Sequence, residues 1–146
     1  MLKSVLDLFR DKHEEKDTNG SVELATAVLL SEIIRADRES DERELKAYRV
    51  MLTKQFKLDE QALHTLMDEG RESAEEAVDM VQFTQVINQQ CDNDQKQAIL
   101  KSLWEVAYAD KDIAPIEEHT IRRIADLLYI PHSQYIKTKL AVTDEK

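Results

Sequence analysis

An all-α fold of seven or eight helices follows from three observations. Apolar residues recur at helical spacing along the chain. Nothing alternates with a period of two for long enough to form a strand. Two glycines and two prolines in 146 residues are too few for the frequent turns of a β-sandwich. The same scarcity leaves no glycine-rich phosphate cradle and no dinucleotide-binding fingerprint.

Each element has its own signal. Leu2, Val5, Leu6 and Phe9 form a first amphipathic stripe that ends near Glu15. Lys16 to Gly20 reads as a turn, because it contains Asn-Gly. A second helix spans about Val22 to Ala36. Its apolar residues, including Leu24, Val28, Leu29 and Ile33, lie on overlapping faces, so it is central. A third covers about Glu42 to Gln55, with Leu45, Tyr48, Leu52 and Phe56 inward. A fourth follows Asp59 and stops near Gly70, the residue suited to a left-handed cap. Ser73 and Glu76 have the form of a capping box that opens a fifth helix through Gln90. Asp92 and Gln95 form a second box, opening a sixth helix with Ile99, Leu103, Val106 and Ala107. Pro115 at a first helical position opens the seventh, with Ile116, Ile121, Ile124 and Leu128. Pro131 starts a short eighth with Tyr135, Ile136 and Leu140, and the tail from Thr143 is frayed.

A chain this long is one domain that can bury roughly 70% of its unfolded surface, so no staple is needed. Residues 1–20 are read as an amino-terminal amphipathic helix and turn, and residues 21–142 as the all-helical domain. The first helix serves core packing or a homodimer contact. Twenty basic and thirty acidic residues leave a formal charge of −10, which argues against nucleic acid as a partner. Cys91 alone permits no intrachain disulfide and no cysteine zinc site. No secretory signal opens the chain, and no segment approaches the ~20 apolar residues of an integral membrane span. The expected location is the cytoplasm.

The most informative feature is an internal repeat. Leu30 to Asp37 matches Leu103 to Asp110 at an offset of 73 residues, pairing Glu32 with Glu105 and Ala36 with Ala109. The match continues through Glu44 with Glu117, Arg49 with Arg122 and Phe56 with Tyr129. Each copy is a helix, an Ala-Asp corner, a Glu, and a second helix. Two such hairpins can pack as pseudo-symmetric halves.

Aspartate at a helix end opposes the macrodipole, so its presence in both copies is informative. Asp37, Glu39, Asp41 and Glu44 surround the first corner, and Asp110, Asp112 and Glu117 the second. A tight corner turning Asp37 toward Glu44, and Asp110 toward Glu117, would suit a hard cation such as Ca²⁺ or Mg²⁺. A structural account stands beside this one. Asp41 to Glu44 has capping-box form, Glu117 falls three residues after Ala114, and all four carboxylates could satisfy backbone N–H groups. Neither corner is an EF-hand, since Glu42 stands where that loop needs glycine.

Other residues speak less. His13, His64, His119 and His132 show no metalloprotease spacing. Cys91 precedes a helix start, where the dipole can lower a thiol pKa. Trp104 and Tyr108 read as core, and Arg122 and Arg123 as partners for neighbouring acids.

The repeated Ala-Asp corner followed by Glu, in a small acidic helical chain, resembles the tellurite-resistance TerB-like family. The likeness covers about Leu24 to Leu140. It implies an α-helical domain with two pseudo-symmetric halves, an association with bacterial stress and tellurite resistance, and no established catalytic activity. It also implies that Asp37, Glu44, Asp110 and Glu117 carry the acidic motifs, as a metal site or a partner surface with Glu39, Asp41 and Asp112. The family often has glycine after the Asp; here Arg38 and Lys111 stand there. The expected function is a non-enzymatic binding or stress-response module. It would hold a divalent cation or a protein with a basic patch. The alternative is a metal-assisted hydrolase using the corner carboxylates.

Overall fold

The computed structural model describes residues 10–36, 42–77 and 79–144, with side chains from residue 22 onward. Seven helices are present among them: α1 (Arg10–Ala36), α2 (Glu42–Phe56), α3 (Glu60–Glu76), α4 (Val81–Gln90), α5 (Asn93–Ala107), α6 (Pro115–Leu127) and α7 (His132–Thr143). No strand occurs among the described residues. None of these helices is long and apolar enough to cross a membrane.

The expected turn at Lys16 to Gly20 is helical, and α1 runs unbroken from Arg10 to Ala36. One glycine and one asparagine cost a helix about 1 kcal/mol and a few tenths. Extending a nucleated helix adds a hydrogen bond per residue, which offsets that cost. The apolar stripe at Leu2 to Phe9 lies outside the described residues.

The carboxyl-terminal half of α1 is the centre of the fold. Every side chain from Ala25 to Ser31 is buried, so this segment has no solvent face and needs neighbours all round. It packs against α2, α3, α4, α5 and α6. The second central helix, α5, buries Ile99, Leu100, Leu103, Trp104, Val106 and Ala107 and packs on α1, α2, α6 and α7. Trp104 meets Tyr135 of α7 with ring centroids 5.3 Å apart. A 2.7 Å ion pair from Lys139 to Glu118 ties α7 to α6.

Thr26, Ser31 and Tyr48 are satisfied within the core. Thr26 Oγ1 donates to the Val22 carbonyl at 2.9 Å. The Tyr48 hydroxyl donates to the Ala27 carbonyl at 3.1 Å and shares a 2.9 Å bond with Ser31 Oγ. It thereby anchors α2 on α1. Burial pushes the Tyr48 phenol up to about 12, against smaller opposing effects of Ser31 and Arg71.

Gly70 does not end the fourth predicted helix. It lies inside α3, where Leu63, Leu66, Gly70 and Ala74 form one buried stripe. A Cβ on Gly70 would sit 2.8 Å from Ala27 Cβ and 3.1 Å from the Tyr48 hydroxyl. The glycine therefore serves close approach of α3 to α1. The same stripe explains why Ser73 and Glu76 open no helix: Ala74 is still buried and α3 continues to Glu76. The next helix starts at Val81, whose N–H is held by Asp79 Oδ1 at 3.0 Å.

The signals at Asp92, Pro115 and Pro131 hold. Asp92 Oδ1 accepts from Gln95 N, and Gln95 Oε1 from Asp92 N, both at 2.8 Å. Pro115 occupies the first turn of α6, and Pro131 precedes α7. Leu45, expected inward, is exposed, as are Ile116, Ile136 and Leu140 of the helical apolar patterns. With glycine scarce, Lys57, Lys111 and Tyr129 take left-handed backbone at or after helix ends. At the end of α6 the turn at Tyr129 lets Tyr129 N donate to Asp126 O and Ile130 N to Ala125 O, both at 3.0 Å, and side chains take the next two carbonyls: Asn88 donates to Leu127 O at 3.0 Å and Lys96 to Leu128 O at 3.1 Å.

Two outcomes follow. Gly70→Ala gains about 1 kcal/mol of helix propensity but overpacks a rigid contact, at about 1–3 kcal/mol. Its urea midpoint should fall below the parent's. A folded-state phenol pKa above the ordinary 10.0 makes Tyr48 stabilising below pH 10, and that contribution is lost as pH rises toward 12. Tyr48→Phe should be less stable at neutral pH, by about 1 kcal/mol. Its difference from the parent should shrink in melts between pH 10 and 12.

Candidate functional site

The second corner can be built atom by atom. α5 ends at Ala107 and the chain reverses over Tyr108 to Lys111. Ala109 N donates to Val106 O at 3.2 Å, and Lys111 N to Tyr108 O at 2.9 Å. Lys111 has φ 69°, left-handed backbone that costs a side-chain-bearing residue roughly 1–2 kcal/mol and suits glycine. The geometry of the turn thus accounts for glycine as the fitting residue after the Asp. In this chain the Lys111 ammonium lies over the Tyr108 ring, 5.5 Å from its centroid. Lys111 forms no ion pair with Asp110 among the described residues.

Asp110 turns its carboxylate onto its own corner, where Oδ1 accepts from Asp112 N at 3.1 Å. Asp112 itself is exposed. Glu117 is wholly buried, and its Oε1 accepts from Ala114 N at 2.9 Å. Ala114 has no side-chain acceptor to return the bond, so this is half of a capping box. Ala114 O in turn accepts from Glu117 N and Glu118 N at 2.9 and 3.1 Å. The carboxylate that sequence reasoning offered to a cation therefore fixes the start of α6. The corner brings Asp110 to Asp112, and Glu117 to Ala114. Among the described residues no group of three or more His, Cys, Asp or Glu side chains is placed to hold a metal ion. At the second corner the described bonds of both carboxylates go to backbone N–H groups, Asp110 to Asp112 N and Glu117 to Ala114 N.

Of the first corner, Asp37, Glu39 and Asp41 lie outside the described residues. Glu44 is described and is 1% exposed, against 0% for Glu117. Both sit in the first turn of the second helix of their hairpins. Carboxylates are rarely buried without a specific reason. Two at equivalent steps of a repeat show that each hairpin is built around an interior Glu. Leu30 and Leu103 are likewise both buried, and Glu32 and Glu105 both half-buried.

The remaining candidates separate clearly. Burial and the neighbouring Asp92 push the Cys91 thiol up, against a smaller pull from Lys96, which is opposite to the lowering expected from the helix start. His64, His119 and His132 are exposed, and His132 stacks on Tyr135 at 5.5 Å. Trp104 is fully buried, as expected of core. Sequence reasoning missed a concave surface between α2 and α5, where lysines from both helices gather. The signal was the spacing of Arg43, Lys46, Val50 and Lys54 along one face of α2.

A family model described as Tellurite resistance protein TerB matches residues 23–140, most of the chain. No curated protein and no solved structure matches it.

Removing the interior cap should be costly. Glu117→Ala strands the Ala114 N–H and empties a buried volume, so urea unfolding should show a loss of at least about 1–2 kcal/mol. Glu117→Gln keeps an oxygen acceptor and should retain a larger share of the stability. Equal midpoints for Glu117→Ala and the parent would deny the capping role.

Proposed function

The chain belongs to the TerB tellurite-resistance family, and from that premise we propose that it is a non-catalytic binding module of the cytoplasmic stress response. Its working surface is the pair of acidic corners, and its occupant a basic patch on a partner protein. One observation carries this reading: Glu44 and Glu117 are buried at equivalent steps of the two hairpins. An interior carboxylate that holds the backbone makes the corner rigid, as the Glu117 bond to Ala114 N illustrates. A rigid corner presents its outer carboxylates at little ordering cost on binding.

The repeat doubles that display. Asp110 and Asp112 line the second corner, and Asp37 and Glu39 stand at the same steps of the first. Two acidic corners in one domain favour a partner with two basic contacts, or one extended basic surface. The overall charge of −10 adds long-range attraction to such a partner.

The test compares the parent with a chain carrying Asp37→Asn and Asp110→Asn. Affinity capture from cells at low salt should recover a basic protein with the parent, and the yield should drop several-fold in the variant or at high salt. Capture that ignores both salt and substitution would refute the reading. A melt in millimolar Ca²⁺, Mg²⁺ or Mn²⁺ supplies the other arm. The midpoint should not move. A rise in the parent that is absent from the variant would assign the corners to a cation instead.

A further inference from the structure

The surface between α2 and α5 has the opposite character from the chain as a whole. Two concavities run along it, of about 210 and about 450 Å³. Met51 and Glu105 line both, so they form one groove. Lys54 and Lys101 flank the first part, and Arg43, Lys46 and Lys111 the second. Glu105 is the only carboxylate among the described lining residues. Among the described lining residues, five cations stand against one acid, in a chain with ten more acids than bases.

Three of these cations form no ion pair within the described fold. Lys46, Lys54 and Lys101 are exposed, and none ion-pairs with a described carboxylate. Neutralising neighbours were available in composition, since acids outnumber bases. The floor between the cations is apolar: Ala47, Met51 and Ala98, with Val50 47% exposed. α2 supplies one basic flank and α5 with its corner supplies the other.

We propose that this groove docks an acidic, partly apolar segment of a partner polypeptide. Three features select that occupant. A small anion needs several donors converging on one point, whereas the α2 cations are strung over the twelve residues from Arg43 to Lys54, about 16 Å of helix. A single nucleic-acid strand needs stacking platforms, and Tyr108 is the sole aromatic among the described lining residues. An amphipathic acidic segment fits both parts, with aliphatic side chains on the floor and carboxylates toward the lysines. One end of the groove meets the second corner at Tyr108, Ala109 and Lys111. The groove takes the opposite charge from the corner carboxylates, and substituting Lys54 and Lys101 leaves Asp110, Asp112 and Glu117 untouched.

The experiment is selection of a random peptide library, with peptides of about twelve residues, on the full-length chain. Enriched peptides should carry acids interspersed with aliphatic residues. Their affinity should fall at least tenfold in a chain carrying Lys54→Glu and Lys101→Glu, and less in one carrying Lys54→Gln and Lys101→Gln. Lys137→Glu, on the exposed face of α7, should leave affinity unchanged. Urea melts matching the parent would certify that the variants fold. Enrichment of neutral or basic peptides, no enrichment, or indifference to the charge reversal would each overturn the proposal. So would a single-stranded oligonucleotide that binds more tightly than the selected peptides.

Discussion

A helix with no solvent face can exist only if other helices cover every side of it, and Ala25 to Ser31 of α1 is such a helix. Five of the other six helices lie against α1. The closest of these approaches depends on size alone. Ala27 faces Gly70, and there is no room between them for another carbon. Beside that contact the Tyr48 hydroxyl fastens α2 to the backbone of α1. Three helices are thus locked at one point by two small residues and one phenol. The rest of the core, including fully buried Leu29, Leu30 and Ile33, is arranged around it.

The second hairpin repeats the design with different means. α5 takes the central place that α1 holds in the first, and Trp104 with Tyr135 fills the seam to α7. In both hairpins a glutamate in the first turn of the second helix is buried. Where its bond is described, it holds the backbone before the helix rather than pointing outward. At the second corner the carboxylates therefore divide into an interior one, Glu117, that holds the start of α6, and outer ones, Asp110 and Asp112, of which Asp112 is exposed. The same segregation of roles applies to the basic groove, whose lysines stand beside an apolar floor instead of bridging acids.

Legibility followed the range of the interactions. Asp92 and Gln95 were readable because their two bonds close within four residues. Pro115 was readable because its ring sets φ and removes a donor that a first turn does not need. Ser73 and Glu76 have the same local form, yet α3 runs through them because Ala74 is needed by the core. Gly70 read as a cap because glycine tolerates left-handed backbone; the reason for its presence lies on Ala27, more than forty residues away in sequence. The Asn-Gly near residue 20 was outweighed by propagation of an already nucleated helix.

The site divides in the same way. The repeat identified both corners and both buried glutamates, since equal spacing of identical residues needs no coordinates to be seen. It could not say where each oxygen goes, because a carboxylate can cap a backbone or meet a ligand with the same sequence around it. The groove was invisible for a related reason: Lys54 and Lys101 are remote along the chain and meet only when α2 packs on α5. By itself, the sequence determined helical content, most helix starts, the duplicated corners and the charge, all properties of residues near one another along the chain. Tertiary structure alone decided which face of each helix is buried, which carboxylates turn inward, and where the cations gather. Those depend on long-range packing, which weighs more than any single local preference.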